Sequence, residues 1–331
     1  MFLINIVERK LFLKGSIILE IQAHGKSNAK IILIGEHAVV YGQPAIALPL
    51  TTVTVNVTLE KISNLHSQIK SIYYTGPLTD LPLSMNGVKH LIKYLIQQLK
   101  IEDPLLITID SQLPAERGMG SSAAVAIALI RAFYAYTAKP LTKTHLLNLA
   151  NIAEKDTHKN PSGLDAATCA SQEPIWMIRN QELTNMTVNL PGFLVICDSG
   201  IKGRTSEAIM CVKDQLCQDP ESTHKLIKQL GQLTYDAKDA LEDSNIELLG
   251  KIFNKAQAKL KQLDVSCPQL DKLIKLSLAN GSLGSKLTGG GKGGCFINLV
   301  STKKDAQQLA DTMLKNGVTQ TWIEPLFKEE K

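Results

Sequence analysis

The chain has 331 residues, 44% of them hydrophobic and 20% charged, with a formal net charge of +5. This is a soluble globular composition, long enough for two domains or one large one. The mild positive charge, without Lys/Arg blocks interleaved with aromatics, argues against a nucleic-acid binder. Six cysteines without a C-x-x-C pair exclude a disulfide framework or a zinc site and read as reduced thiols in the cytoplasm.

In chain order, Met1 to Leu19 holds apolar runs, but Glu8, Arg9, Lys10 and Lys14 interrupt them and no small-residue cleavage site follows. A secretory signal is therefore not expected, and no run is long enough to span a membrane. Lys30 to Ile34 reads as a short strand closed by Gly35, and Ala45 to Leu59 as a second strand alternating in period two. Asn86 to Leu99 has apolar residues at helical spacing. The strand Leu105 to Ile109 then leads through a glycine-serine loop into a helix from Ser121 to Tyr136. Thr142 caps a helix running to Lys155, Asn160-Pro161-Ser162-Gly163 breaks the pattern, and a new helix starts near Leu164. Leu190-Pro191-Gly192 reads as a boundary. Beyond it lie the strand Phe193 to Cys197 and four helices, Thr205 to Cys217, Ser222 to Leu241, Asn245 to Leu263 and Cys267 to Asn280. The glycine-rich loop Ser285 to Gly294, the strand Cys295 to Val300, the helix Lys303 to Asn316 and the strand Thr319 to Ile323 complete an α+β pattern in both halves.

Chemistry concentrates in Pro114-Ala115-Glu116-Arg117-Gly118-Met119-Gly120-Ser121-Ser122-Ala123-Ala124. Glycine admits close approach of backbone N–H groups, and a helix start offers unpaired donors and the positive end of a dipole, so the segment is either a phosphate cradle or a glycine turn with a serine cap. No Walker loop, dinucleotide fingerprint or protein-kinase signature is present. Phosphoryl transfer nevertheless needs few parts, and candidates for each exist. Ser122 offers a hydroxyl to a metal, and Glu154 reads as a second oxygen ligand or as a solvated carboxylate. Asp165 reads as a base or as a helix-start residue. Lys30, inside an apolar run, either snorkels or sits near an anionic centre.

These residues carry a resemblance. Lys30-x5-Glu36-His37-Ala38-Val39-Val40, Gly118-Met119-Gly120-Ser121-Ser122-Ala123-Ala124, Asn160-Pro161-Ser162-Gly163-x-Asp165 and Lys286-Leu287-Thr288-Gly289-Gly290-Gly291 together resemble the GHMP kinase superfamily. The Gly-Glu-His-Ala-Val-Val-x-Gly form points within it to the mevalonate kinases, of bacterial type. The resemblance runs from about residue 25 to the C-terminus, with the four motifs in order. It implies a two-domain α+β fold: an N-terminal ribosomal-protein-S5-domain-2-like domain over residues 25–189, and a C-terminal ferredoxin-like α/β sandwich over 190–331. Residues 1–24 form an extension before the family's usual start.

The implied activity is ATP-dependent phosphorylation of mevalonate on its C5 hydroxyl, with Mg²⁺ as cofactor, no nucleic-acid or membrane partner, and a homodimer by analogy. By position, Asp165 matches the base and Lys30 the lysine that stabilises charge beside it. Ser122 and Glu154 match the Mg²⁺ ligands. Pro114, Arg117, Gly118, Met119, Gly120, Ser121, Ser122 and Ala123 match the ATP loop. Glu36, His37, Thr205, Gly289 and Gly290, with Lys30 and Asp165, match the acceptor side. Arg179 pairs with the acceptor carboxylate or is a surface arginine. Three features depart from the family pattern: Arg117 precedes the Gly-x-Gly and reaches phosphates or solvent, Gly290 stands where alanine is usual, and Lys292 interrupts the last glycines. Another small-molecule GHMP kinase, such as a phosphomevalonate kinase, and a non-enzymatic ligand-binding relative are the alternatives.

Overall fold

The computed structural model describes residues 6–13, 16–114, 117–157 and 163–327. Ala115-Glu116 of the phosphate loop and Asn160-Pro161-Ser162 of the expected helix break lie outside the described residues. In chain order the first elements are β1 (Ile6–Leu13), β2 (Ser16–Ile34), β3 (Pro44–Lys61), β4 (Gln68–Lys70), β5 (Thr75–Pro77), α1 (Asn86–Leu99) and β6 (Leu105–Ser111). Next come α2 (Ser121–Tyr136), α3 (Lys143–Thr157), α4 (Leu164–Ala170), β7 (Ile175–Ile178), β8 (Thr184–Asn185) and β9 (Phe193–Asp198). The last are α5 (Thr205–Gln218), α6 (Pro220–Glu242), α7 (Ile246–Gln262), α8 (Pro268–Ala279), β10 (Gly284–Leu287), β11 (Cys295–Val300), α9 (Lys303–Lys315) and β12 (Gln320–Pro325).

The chain forms two compact units that interleave in sequence. One holds the residues up to Ala29, Val53–Pro114 and Gly120–Ala170; the other holds Lys30–Thr52, Ala115–Met119 and Ser171–Lys331.

In the first unit the strands follow the order β1-β2-β3-β6-β4-β5. Val53, Val55, Val57 and Leu59 of β3 are fully buried on one face, as period-two alternation demands, and the strand pairs antiparallel with β6 from Val55↔Ser111 to Lys61↔Leu105. Four helices accompany the sheet. Helix α1 buries Leu91, Ile92, Leu95 and Leu99 at helical spacing, whereas Ala-rich α2 is buried on nearly every side and packs against α1, α3 and α4. Gly25 of β2 lets the strand lie directly on α2: a Cβ there would stand 2.1 Å from the Ala128 carbonyl oxygen. Thr142 caps α3 as expected, its hydroxyl accepting from the His145 amide at 3.2 Å.

The second unit is built on an antiparallel sheet of order β10-β11-β9-β12. Helices α7 and α8 pack on β10, and α9 packs on β9 and β12. Strand β7 pairs with the beginning of β3, Ala47↔Ile175 among the partners, and β8 pairs with β7. Glu324 of β12 is buried and accepts from the amides and hydroxyls of both Thr51 and Thr52, which ties the last strand to β3.

The elements that the sequence predicts lie mostly within a few residues of their observed bounds, whereas β1, β4, β5, β7, β8 and β10 are not predicted; among the predicted elements the largest difference is β2. A short strand at Lys30 to Ile34 is expected, but the strand begins at Ser16 and pairs with β1, so residues 6–13 and 16–24 are sheet rather than an appendage. Ser27 and Asn28 hide this in the sequence. They are polar yet buried, and the Ser27 hydroxyl donates to the Cys169 carbonyl at 3.1 Å. Among the described residues no helix is long and apolar enough to cross a membrane, and all six cysteines are free.

Candidate active site

The expected site residues divide between the two units. In the second unit, the end of β2, the segment before Gly120 and the loop after β10 are stitched together. The Lys30 amide donates to the Met119 carbonyl at 3.0 Å. The Thr288 hydroxyl donates to the Ile32 carbonyl at 2.8 Å and accepts from the Ile32 amide at 3.1 Å. Gly118 and Gly289 meet backbone to backbone: a Cβ on Gly289 would lie 3.5 Å from the Gly118 Cα. Two glycine-rich segments far apart in sequence thus share one surface, with Lys30 buried beside them.

Glu36 and His37 follow directly. The buried Glu36 carboxylate is paired with the equally buried Lys286 ammonium, which also donates to the Leu287 carbonyl at 2.7 Å and lies 5.9 Å from the centre of the Phe253 ring. Burial pushes the Glu36 carboxyl up and the Lys286 ammonium down from their ordinary values, and the pairing opposes both shifts. His37 takes φ 59° and ψ −47°, and the Ala38 amide reaches back to the Glu36 carbonyl at 2.6 Å. That is a γ-turn of the rare positive-φ kind, a strained conformation for a non-glycine residue. It is held from both sides, by Glu36–Lys286 and by the 2.9 Å bond between His37 Nε2 and the Gly290 carbonyl. A carbonyl only accepts, so Nε2 carries the proton. Burial lowers the His37 pKa to about 4, so the ring is neutral and Nδ1 remains an acceptor.

The remaining residues of this cluster are equally defined. Thr205 is the exposed first residue of α5 and lies against Gly290, where a Cβ would come within 2.1 Å of its hydroxyl oxygen. The glycine that replaces the usual alanine therefore makes room for Thr205. Lys292 has φ 53° in the loop, and its ammonium turns aside to Asp264 at 2.8 Å. The exposed Arg179 donates to the Val40 carbonyl at 2.7 Å, which places it beside the Glu36-to-Val40 segment. Arg117 has a partner that its motif does not reveal: its Nε donates to Asp198 at 2.9 Å. Asp198 ends β9 before a Ser-Gly turn, a strand-final carboxylate that the sequence reading passed over.

The first unit holds the others. Pro114 precedes the loop, and Gly120 stands at the N-cap of α2 with φ 72°. No side chain caps that helix, so the Ser-cap reading fails and Ser121, Ser122 and Ala123 occupy its first turn. Ser122 is exposed, Ala123 buried. Glu154 on α3 is only 5% exposed, which removes the solvated-carboxylate reading. Asp165 is half-buried in the first turn of α4, and both α3 and α4 pack against α2. A hydroxyl and a buried carboxylate are hard oxygen donors of the type Mg²⁺ takes.

The chain is similar in sequence and in fold to known proteins. Residues 86–173 match the GHMP kinases N terminal domain and residues 237–319 the GHMP kinases C terminal domain. The chain is 30% identical to a mevalonate kinase of Methanothermobacter thermautotrophicus, over 81% of this chain and 87% of that protein. A solved mevalonate kinase from methicillin-resistant Staphylococcus aureus is 34% identical, with a TM-score of 0.75 over 93% of this chain and 99% of that one. The L. major mevalonate kinase solved in complex with R-mevalonate shares the fold, with a TM-score of 0.81 at 22% identity over 98% of this chain and 100% of that one. The chain belongs to the GHMP kinase family, in the group that contains the mevalonate kinases.

Proposed function

We propose that this kinase transfers the γ-phosphoryl group of ATP to the C5 hydroxyl of (R)-mevalonate, giving 5-phosphomevalonate. The observation that carries the reading is the junction in the second unit, where the Thr288–Ile32 and His37–Gly290 bonds and the Gly118–Gly289 contact join the end of β2 and the Glu-His segment to both glycine-rich loops. A primary alcohol is a weak nucleophile and needs a positioned base and nearby positive charge. Asp165 takes the hydroxyl proton, and Lys30 offsets the developing negative charge. Backbone N–H groups of Gly118 to Ser122, with Arg117, receive the nucleotide phosphates. Ser122 and Glu154 would hold Mg²⁺, which would supply charge neutralisation to the nucleotide phosphates. On the acceptor side, His37 Nδ1 accepts from a substrate hydroxyl, and Arg179 has a guanidinium fork suited to a carboxylate.

The functional domains are proposed to divide at residue 190, with 25–189 carrying the base and the metal ligands and 190–331 the third glycine loop. The cytoplasm is the proposed compartment, in keeping with six free thiols, and a homodimer follows by family analogy. The test is a coupled ADP-release assay with mevalonate, phosphomevalonate, galactose and homoserine as acceptors. Turnover with mevalonate and little with the others is expected; preference for another acceptor overturns the substrate assignment.

A further inference from the structure

We propose that Asp198 is a positioning residue for nucleotide binding, acting through Arg117. The inference rests on the kinase reading above. Asp198 is the buried last residue of β9, paired across the sheet with Cys295 on one side and Gln320 on the other. Its carbonyl accepts from the Thr319 amide at 3.0 Å, and its Oδ1 accepts from the Gly200 amide at 2.9 Å. The next residue, Ser199, donates through both its hydroxyl and its amide to the Gly294 carbonyl, at 2.6 and 3.2 Å. The carboxylate is thus fixed in the sheet and in the turn that supports the third glycine loop.

Its second oxygen receives the Arg117 Nε proton at 2.9 Å. Arg117 immediately precedes Gly118, and a Cβ on Gly294 would lie 3.2 Å from the Arg117 carbonyl oxygen. The geometry of the pair matters. An arginine–carboxylate pair built for stability engages two parallel N–H groups. Here Asp198 takes only the Nε edge, and among the described residues no acceptor is recorded for the terminal Nη groups, on a side chain that is 20% exposed. A guanidinium held by one edge beside a Gly-x-Gly loop presents its remaining donors in a fixed direction, and the chemical class they fit is a phosphate. Asp198 sets that direction without touching the nucleotide.

The experiment measures calorimetric binding of ADP and of adenosine to the full-length wild type, Asp198→Asn, Arg117→Ala and the double variant, with no acceptor present. Asp198→Asn is expected to weaken ADP about tenfold, the scale of one lost charge-assisted contact, while adenosine binding stays within about twofold. The double variant is expected to bind ADP no more weakly than Arg117→Ala, because the two residues act as one device. Arg117→Lys keeps the charge but lacks the Nε edge, so a phosphate-specific loss is expected there too, independently of how well Asp198→Asn folds. Wild-type ADP affinity in Asp198→Asn or Arg117→Lys, equal weakening of ADP and adenosine, or additive losses in the double variant would each overturn the proposal. Because no acceptor is present, failure of mevalonate as a substrate leaves this result standing. A wild type that binds ADP no better than adenosine overturns both.

Discussion

The two units carry their share of the chemistry in different ways. In the second, every expected residue is tied to another by a named bond or a backbone contact: Lys30 to Met119, Glu36 to Lys286, His37 to Gly290, Arg117 to Asp198. In the first, Ser122, Glu154 and Asp165 stand on three separate helices that pack against one another. The contrast teaches that pre-organisation has two sources. A loop that must present backbone N–H groups has little regular structure of its own and is held by side chains behind it. A carboxylate on a helix inherits its position from the apolar core beneath.

Removing chemistry from the first unit should leave binding intact. Asp165→Asn is expected to lower turnover by about 100- to 10,000-fold, the range of a lost general base, with nucleotide affinity nearly unchanged. Retained turnover would remove the base assignment and, with it, the first unit's side of the contrast. Removing a stitch from the second unit should instead cost stability. Lys286→Met leaves the buried Glu36 without its partner and is expected to destabilise the protein by about 3–5 kcal/mol in urea unfolding. A loss below about 1 kcal/mol would mean that the pair is not what holds the Glu-His turn. The helix packing of the first unit is probed by Gly25→Ala, whose Cβ would collide with the α2 backbone at Ala128 and Ala132. A destabilisation of about 1–3 kcal/mol is expected, the usual range for overpacking. A neutral result would show that the strand can draw back from the helix.

Much of this contrast was legible beforehand. Helices α1 and α2 were readable because an apolar stripe or an Ala-rich run is a local signal, and β11 because Cys295 to Val300 is apolar and bounded by glycines and polar residues. The start of β2 was not legible, since Ser27 and Asn28 are buried polar residues that break the hydrophobic pattern. The chemistry-bearing types were visible as motifs, but their partners were not. Asp198, Lys286 and the Thr288 hydroxyl gain their meaning from residues 81, 250 and 256 positions away, separations at which local periodicity carries no information. Arg117 illustrates the limit: its motif points to phosphates or solvent and gives no sign of the bond to a strand end in the second unit's sheet.

A further expected effect is a pH dependence carried by His37 in the second unit. In the unfolded chain His37 titrates near its ordinary value of 6.5, whereas burial holds the folded value at about 4. Between those values the unfolded state binds the extra proton, so this contribution is fully present above about pH 6.5 and is lost as the pH falls toward 4. The slope is at most about 1.4 kcal/mol per pH unit. Urea midpoints measured at pH 7, 6 and 5 should fall in step, and His37→Gln should flatten that part of the profile. An unchanged slope in His37→Gln would place the titration elsewhere.

Identifying the product decides both the acceptor and the atom that is phosphorylated. The protein is incubated with Mg²⁺, ATP labelled in its γ-phosphate and (R)-mevalonate, and the product is examined by phosphorus and carbon NMR. One labelled phosphate ester on C5 of mevalonate is expected, formed in step with ADP release. Label on another atom, or ADP release that does not depend on mevalonate, would contradict it.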